Sequence, residues 1–146
     1  INRYDNEAPP AVAFIRGFGL RAGALASSVA HDSHNIIAVG CDDEVLTRAV
    51  NLVIGAGGGI AAVAPDGRED LLGLPFGGLM ATGDCATVAG EYRRLDAFAR
   101  DILGSGLHAP FMTLSFMALL VIPRLKLGDR GLFDGEAFRF VPVLGN

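Results

Sequence analysis

Four short apolar runs, at 11–15, 25–30, 36–40 and 60–64, constrain this chain most. Each is five or six residues long and most end against glycine, proline or a short polar cluster. Runs of that length favour strands over helices. They do not alternate apolar with polar residues, so the sequence predicts strands covered on both faces rather than a sheet with one wet side. Gly17, Gly19 and Gly23 frame a tight connection that pairs 11–15 with 25–30 as a hairpin.

Two stretches break this strand grammar. From about 43 to 55, with Asp42 or Asp43 as cap, Glu44, Thr47, Arg48 and Asn51 fall at i, i+3, i+4 and i+7. The remaining positions are apolar, which predicts a helix buried over most of its circumference. From about 85 to 103, Val88, Tyr92, Leu95, Phe98, Ile102 and Leu103 form one apolar face, with Asp84 as cap and Asp96–Arg100 as an i, i+4 pair. Gly55 to Gly59 follow a helix and precede a strand, the reverse of a phosphate loop, so they read as a helix C-cap and turn.

Pro65-Asp66-Gly67 predicts a turn whose second arm is 68–74. The run 111–122 has no readable period and suits a strand or a short helix. Residues 124–131 read as a polar loop, and 138–143 as a last strand. The fold class expected is α/β (α+β), a mixed β-sheet of about five to seven strands with two main helices, forming a single domain over residues 1–146.

Composition bears on the surroundings of this domain. Hydrophobic residues make up 51% before twenty glycines are counted, and charged residues 19%, below the roughly 25% of an ordinary globular domain. Such an excess predicts that another domain or subunit covers part of the surface, and that copies assemble as a homo-oligomer. The chain begins at Ile1 rather than Met and shows no signal segment, which suggests a fragment of a longer polypeptide. With a net charge of −4 and no basic stripe, nucleic acid is not an expected partner. The longest apolar run is too short to span a membrane. Cys41 and Cys85 lack motif spacing and read as reduced, buried thiols of a cytoplasmic protein.

The chemistry-bearing residues concentrate in one connection. His31-Asp32-Ser33-His34-Asn35 places two imidazoles, a carboxylate, a hydroxyl and an amide between two apolar runs. Two readings stand. Ser, Asp and Asn are ordinary turn residues because their side chains bond nearby backbone. Alternatively, His31, Asp32 and His34 are catalytic candidates, with Ser33 and Asn35 contacting substrate or an interface. As a metal site the pentad is incomplete, since His-x-x-His needs further ligands and only His108 remains. Arg124, Lys126, Asp129 and Arg130 form a second polar group, either a solvated loop or part of the same interface.

Four stretches together resemble the C-terminal domain of bacterial and archaeal adenine deaminases. They are Ser28-Val29-Ala30-His31-Asp32-Ser33-His34-Asn35-Ile36-Ile37, Ala49-Val50-Asn51 with Gly57-Gly58-Gly59, Leu74-Pro75 with Gly78-Leu79-Met80, and Ile122-Pro123 through Leu125-Lys126 with Asp129-Arg130-Gly131-Leu132. The resemblance runs from about Ile1 to Val143, and departs from the family pattern at Phe76, Ala81 and Gly128. It implies a part of an enzyme that hydrolyses adenine to hypoxanthine and ammonia. Such enzymes are metal-dependent amidohydrolases whose binuclear iron or manganese site lies in a (β/α)8 barrel. This chain has no barrel and no His-x-His, so the resemblance assigns metal and chemistry to the missing barrel, the expected partner, and no cofactor to these residues. The alternatives are a purely structural or dimerisation domain, and a small-molecule or metal-binding module built on the pentad.

Overall fold

A computed structural model describes residues 1–144. Its elements are β1 (Ala24–Ser27), β2 (Ile37–Gly40), α1 (Asp43–Gly55), β3 (Gly59–Val63), β4 (Glu69–Gly73), α2 (Cys85–Ala97) with a π-helical turn (Phe98–Ile102), α3 (Pro110–Phe116), β5 (Leu125–Gly128), β6 (Gly131–Asp134) and β7 (Arg139–Phe140). The class is α+β. Where one mixed sheet is expected, the described strands form two purely antiparallel ones, ordered β2-β1-β3-β4 and β5-β6-β7.

The larger sheet is covered on both faces, which explains its unalternating sequence. In β1 and β3, Ala24, Ala26, Ala61 and Val63 pack with Val45, Ala49, Val50 and Val53 of α1. Leu25, Ile60 and Ala62 point the other way, toward Leu95, Ala99, Leu103, Phe111 and Leu114 of the other helices. Every residue of β1 and β3 is buried. The α1 face carries mostly alanines, and Gly40 lies where a Cβ would sit 2.9 Å from the Ala24 Cβ. Small residues let this helix approach the sheet closely.

Both helix starts are capped as the sequence predicts. The Asp42 carboxylate accepts from Val45 N–H and that of Asp84 from Thr87 N–H, each at 3.0 Å. At the end of α1, Gly57 and Gly58 N–H donate to the Ile54 and Val53 carbonyls, the C-cap read from the glycine run. The helix is less enclosed than expected: Ile54 is exposed and Leu46 and Leu52 only half-buried.

Five expectations are corrected. Residues 11–15 form no strand and no hairpin with β1; Phe14 is 87% exposed, because β1 is already paired on both edges by β2 and β3. The predicted Asp96–Arg100 pair is absent, and Arg100 instead donates to neighbouring Asp101 at 2.8 Å. The π-turn begins between them and inserts extra rotation into the helix. Residues 124–131 are not a loop: they contain β5 and the turn into β6, with Leu127 opposite Leu132 and Lys126 opposite Phe133. The last strand shrinks to Arg139–Phe140, and 111–122 resolves into α3 followed by turns. Cys41 and Cys85 are free but exposed rather than buried, one just after β2 and the other in the first turn of α2. No helix among the described residues is long and apolar enough to cross a membrane.

The π-turn sets which side chains reach the core. Leu103 is fully buried while Ile102 is 36% exposed, although both sit on the face read from sequence. Leu103→Ala should therefore destabilise by about 2–5 kcal/mol, as for other buried Leu-to-Ala changes. Ile102→Ala should stay near or below about 1 kcal/mol. Urea denaturation of the two variants checks this; equal losses would place both side chains in the core.

Candidate functional site

The pentad connects β1 to β2 at one end of the larger sheet. Its backbone is folded tightly. His34 N–H donates to the Ala30 carbonyl at 2.6 Å, and His34 takes a left-handed φ of 50°. His31 N–H donates to the Ser115 carbonyl of α3 at 3.3 Å.

Residues outside the pentad supply the other contacts. The Arg3 guanidinium donates to the carbonyls of His34 at 3.0 Å and Gly77 at 3.1 Å. Arg3 N–H donates to Asn35 Oδ1 at 3.1 Å, and Tyr4 Oη to the Ser33 carbonyl at 3.3 Å. The same end of the sheet is pinned by Ser28. Its hydroxyl donates to the Gly78 carbonyl at 2.6 Å and accepts from Gly59 N–H at 2.8 Å. Gly58 and Gly78 pass so close that a Cβ on Gly58 would collide with the Gly78 backbone.

Among the described residues, no hydrogen bond of the pentad uses the side chain of His31, Asp32, Ser33 or His34. That departs from turn chemistry, in which such side chains bond their own backbone. Asp32 and Ser33 are exposed, and the imidazoles are half-buried. The ring of His31 lies 5.0 Å from that of Phe116 and 6.1 Å from that of His34. His34 Nδ1 and Ser115 Oγ are buried without a hydrogen-bond partner, as is Asp96 Oδ1 away from the pentad. Exposed Phe76, Leu79, Met80 and Phe116 stand on the adjoining segments.

The donor set does not suit a binuclear metal centre. His108 is exposed in the bend before α3, within electrostatic reach of Asp96, whose carboxyl burial raises against the opposing pull of Arg100 and His108. Among the described residues no three His, Cys, Asp or Glu side chains gather in ligating geometry. Nor do Arg124, Lys126, Asp129 and Arg130 converge. Arg124 pairs with Glu136 at 3.0 Å, and Lys126 is buried with its ammonium on the Pro123 and Leu125 carbonyls. Asp129 accepts from Asn2 at 2.8 Å, and Arg130 lies over the Phe140 ring.

Comparison with known proteins is decisive at this point. The family model described as adenine deaminase C-terminal domain matches residues 1–139. The chain belongs to this family. It is 61% identical to an adenine deaminase of Salinibacter ruber and 58% to one of Sulfurovum sp., each match covering 97% of this chain and 26% of the relative. An adenine deaminase of Methanothermobacter thermautotrophicus is 57% identical, over 86% of this chain and 23% of its own length. This adenine deaminase C-terminal domain thus spans about a quarter of the curated relatives it matches.

Sequence reasoning found the pentad but missed what holds it. Arg3 and Tyr4 lie in a stretch to which the sequence assigns no element, and Ser115 and Phe116 in the apolar run left open between strand and helix. A lone arginine beside an asparagine and a tyrosine carries no periodic signal; only folding brings it to His34. Ser28 had a signal: with Ser27 it puts hydroxyls inside an otherwise apolar run, where burial demands partners. Replacing Arg3 by Ala should remove two charge-assisted bonds and destabilise the chain by about 1–3 kcal/mol. Backbone amide exchange should rise at 31–35 and 76–80 and stay unchanged in α1; a uniform rise would show that Arg3 does not act locally.

Proposed function

We propose that this chain is the accessory domain of an adenine deaminase, with the pentad facing the mouth of a catalytic barrel elsewhere in the same polypeptide. One observation carries this reading. The fold holds the pentad through its backbone and leaves the side chains of His31, Asp32, Ser33 and His34 unused. Four adjacent polar side chains fixed in place without a structural task are suited to contact something outside the domain. The rim of Phe76, Leu79, Met80 and Phe116 supports this, because apolar side chains exposed around a polar centre are the usual form of a docking surface.

Hydrolysis of adenine needs an attacking hydroxide and a proton for the leaving amine. Manganese or iron would supply the hydroxide in the amidohydrolase barrel, and nothing in this chain's donor set fits that centre, so no step is assigned to metal here. The role left for the pentad is to orient the purine or to exchange a proton with it through His31 or His34, with Asp32 beside them. Ser33 and Asn35 then shape the rim. Of the second group, Arg130 and Asp129 stay on the surface turn after β5, while Lys126 is committed to structure. Two exposed, unbridged thiols accord with a reducing cytoplasm.

In the full-length enzyme, His31→Ala and His34→Ala should each lower kcat/KM for adenine by about tenfold or more, equivalent to about 1.4 kcal/mol of transition-state stabilisation. Thermal unfolding should shift little. Parallel losses of activity and stability would assign the imidazoles to packing. The 146-residue chain with added manganese or ferrous iron should release no ammonia from adenine. Metal-dependent turnover that tracks with the chain and is lost on His31→Ala would move the chemistry into this domain.

A further inference from the structure

β2 is an edge strand, and its outer edge lies open next to an extended segment that does not reach it. The order β2-β1-β3-β4 leaves one side of β2 without a neighbour. Residues 11–16 run alongside it. Three adjoining hollows, the widest of the three about 330 Å³, separate the two segments, and Ala13 and Ala38 line all three. The slot is mostly apolar, with Ile37, Val39, Leu114 and Leu127 on its walls.

One end of this slot is already bridged. The nitrogen of Ile1 donates to the Ile36 carbonyl at 2.8 Å, and Ile36 N–H donates to the Ile1 carbonyl at 3.0 Å. Reciprocal bonds between two directly opposed residues form the rung of an antiparallel ladder. Their side chains share a face, both packed toward α1. Since β2 turns Ile37 and Val39 toward β1, its outer groups are those of Ile36, Ala38 and Gly40. Continuing the antiparallel register, the residue two before Ile1 faces Ala38, and the residue four before faces Gly40.

We propose that the open edge of β2 receives a fifth strand, supplied by the polypeptide joined to the nitrogen of Ile1 in the full-length protein. Two further observations support it. The relatives are about four times as long as the matched part, so they hold chain to supply. The geometry also accounts for residues 11–15, a strand-like sequence left unpaired. The added strand would run antiparallel to both β2 and this segment, so 11–15 becomes the next strand out, reached through the loop 2–10. Phe14 and Val12 are exposed, and the added strand would give them a neighbour. The added strand should carry apolar residues at alternate and adjacent positions, since both its faces meet apolar walls.

The test reads backbone protection, not activity, and so stands apart from the deaminase reading. Amide hydrogen exchange at Ala38 and Gly40 is compared in the 146-residue chain and in the full-length protein. Exchange should be at least about 100-fold slower in the full-length protein, and that protection should vanish when the four residues before Ile1 become a Gly-Ser linker. Protection that survives the linker would assign the edge to another part of the polypeptide and overturn the proposal. So would protection already present in the 146-residue chain. If independent of concentration it would mean that 11–15 closes the slot, and if concentration-dependent that a second copy does.

Discussion

The close packing of α1 on a face made of alanines governs the rest of the molecule. Ala24, Ala26 and Ala61 leave no side-chain volume between helix and sheet, and Gly40 removes the last obstacle at the edge. With one face sealed this tightly, larger side chains must point to the other, where Leu25, Ile60 and Leu72 meet Leu95, Leu103 and Phe111. A sheet buried on both faces exposes no strand surface. Chemistry is thereby restricted to edges and ends, and the pentad sits at an end.

Interactions along the chain were legible where local physics decides. The Asp caps of α1 and α2, the glycine C-cap and the turn at Pro65-Asp66-Gly67 each depend on residues within five positions of one another. Elements set by distant partners were not legible. Residues 11–15 have strand composition but no free strand to join among the described residues. β5 and β6 pair Leu127 with Leu132 and Lys126 with Phe133 across a turn whose polar residues dominate the sequence. The π-turn leaves no mark in composition, yet it exchanges Ile102 for Leu103 at the core.

The candidate site divides in the same way. A pentad with five polar residues between apolar strands is visible without a structure. Its choice between turn and site was not, because that depends on which atoms carry the hydrogen bonds. Among the described residues the Asp32 and Ser33 side chains carry none of the pentad's hydrogen bonds; its carbonyls and amides do, with Arg3 and Tyr4 as donors and the Ser115 carbonyl of α3 as an acceptor. The second polar group shows the opposite outcome. Lys126 is charged yet buried, its ammonium satisfied by two carbonyls, so a residue that looked available is a structural tie.

Position along the chain connects the site to the open edge. Asn35 accepts from Arg3 N–H, and the next residue, Ile36, forms the rung with Ile1. The contacts that shape the pentad and those that begin the edge ladder therefore lie on consecutive residues of the same two segments. Movement of the N-terminal segment along β2 would shift Arg3 relative to the His34 carbonyl, because only Asn2 separates the rung from the guanidinium-bearing residue. A paired strand resists such sliding, since a one-residue slip turns every side chain to the opposite face. With the proposed strand paired on β2, its register would set where Arg3 meets the His34 carbonyl.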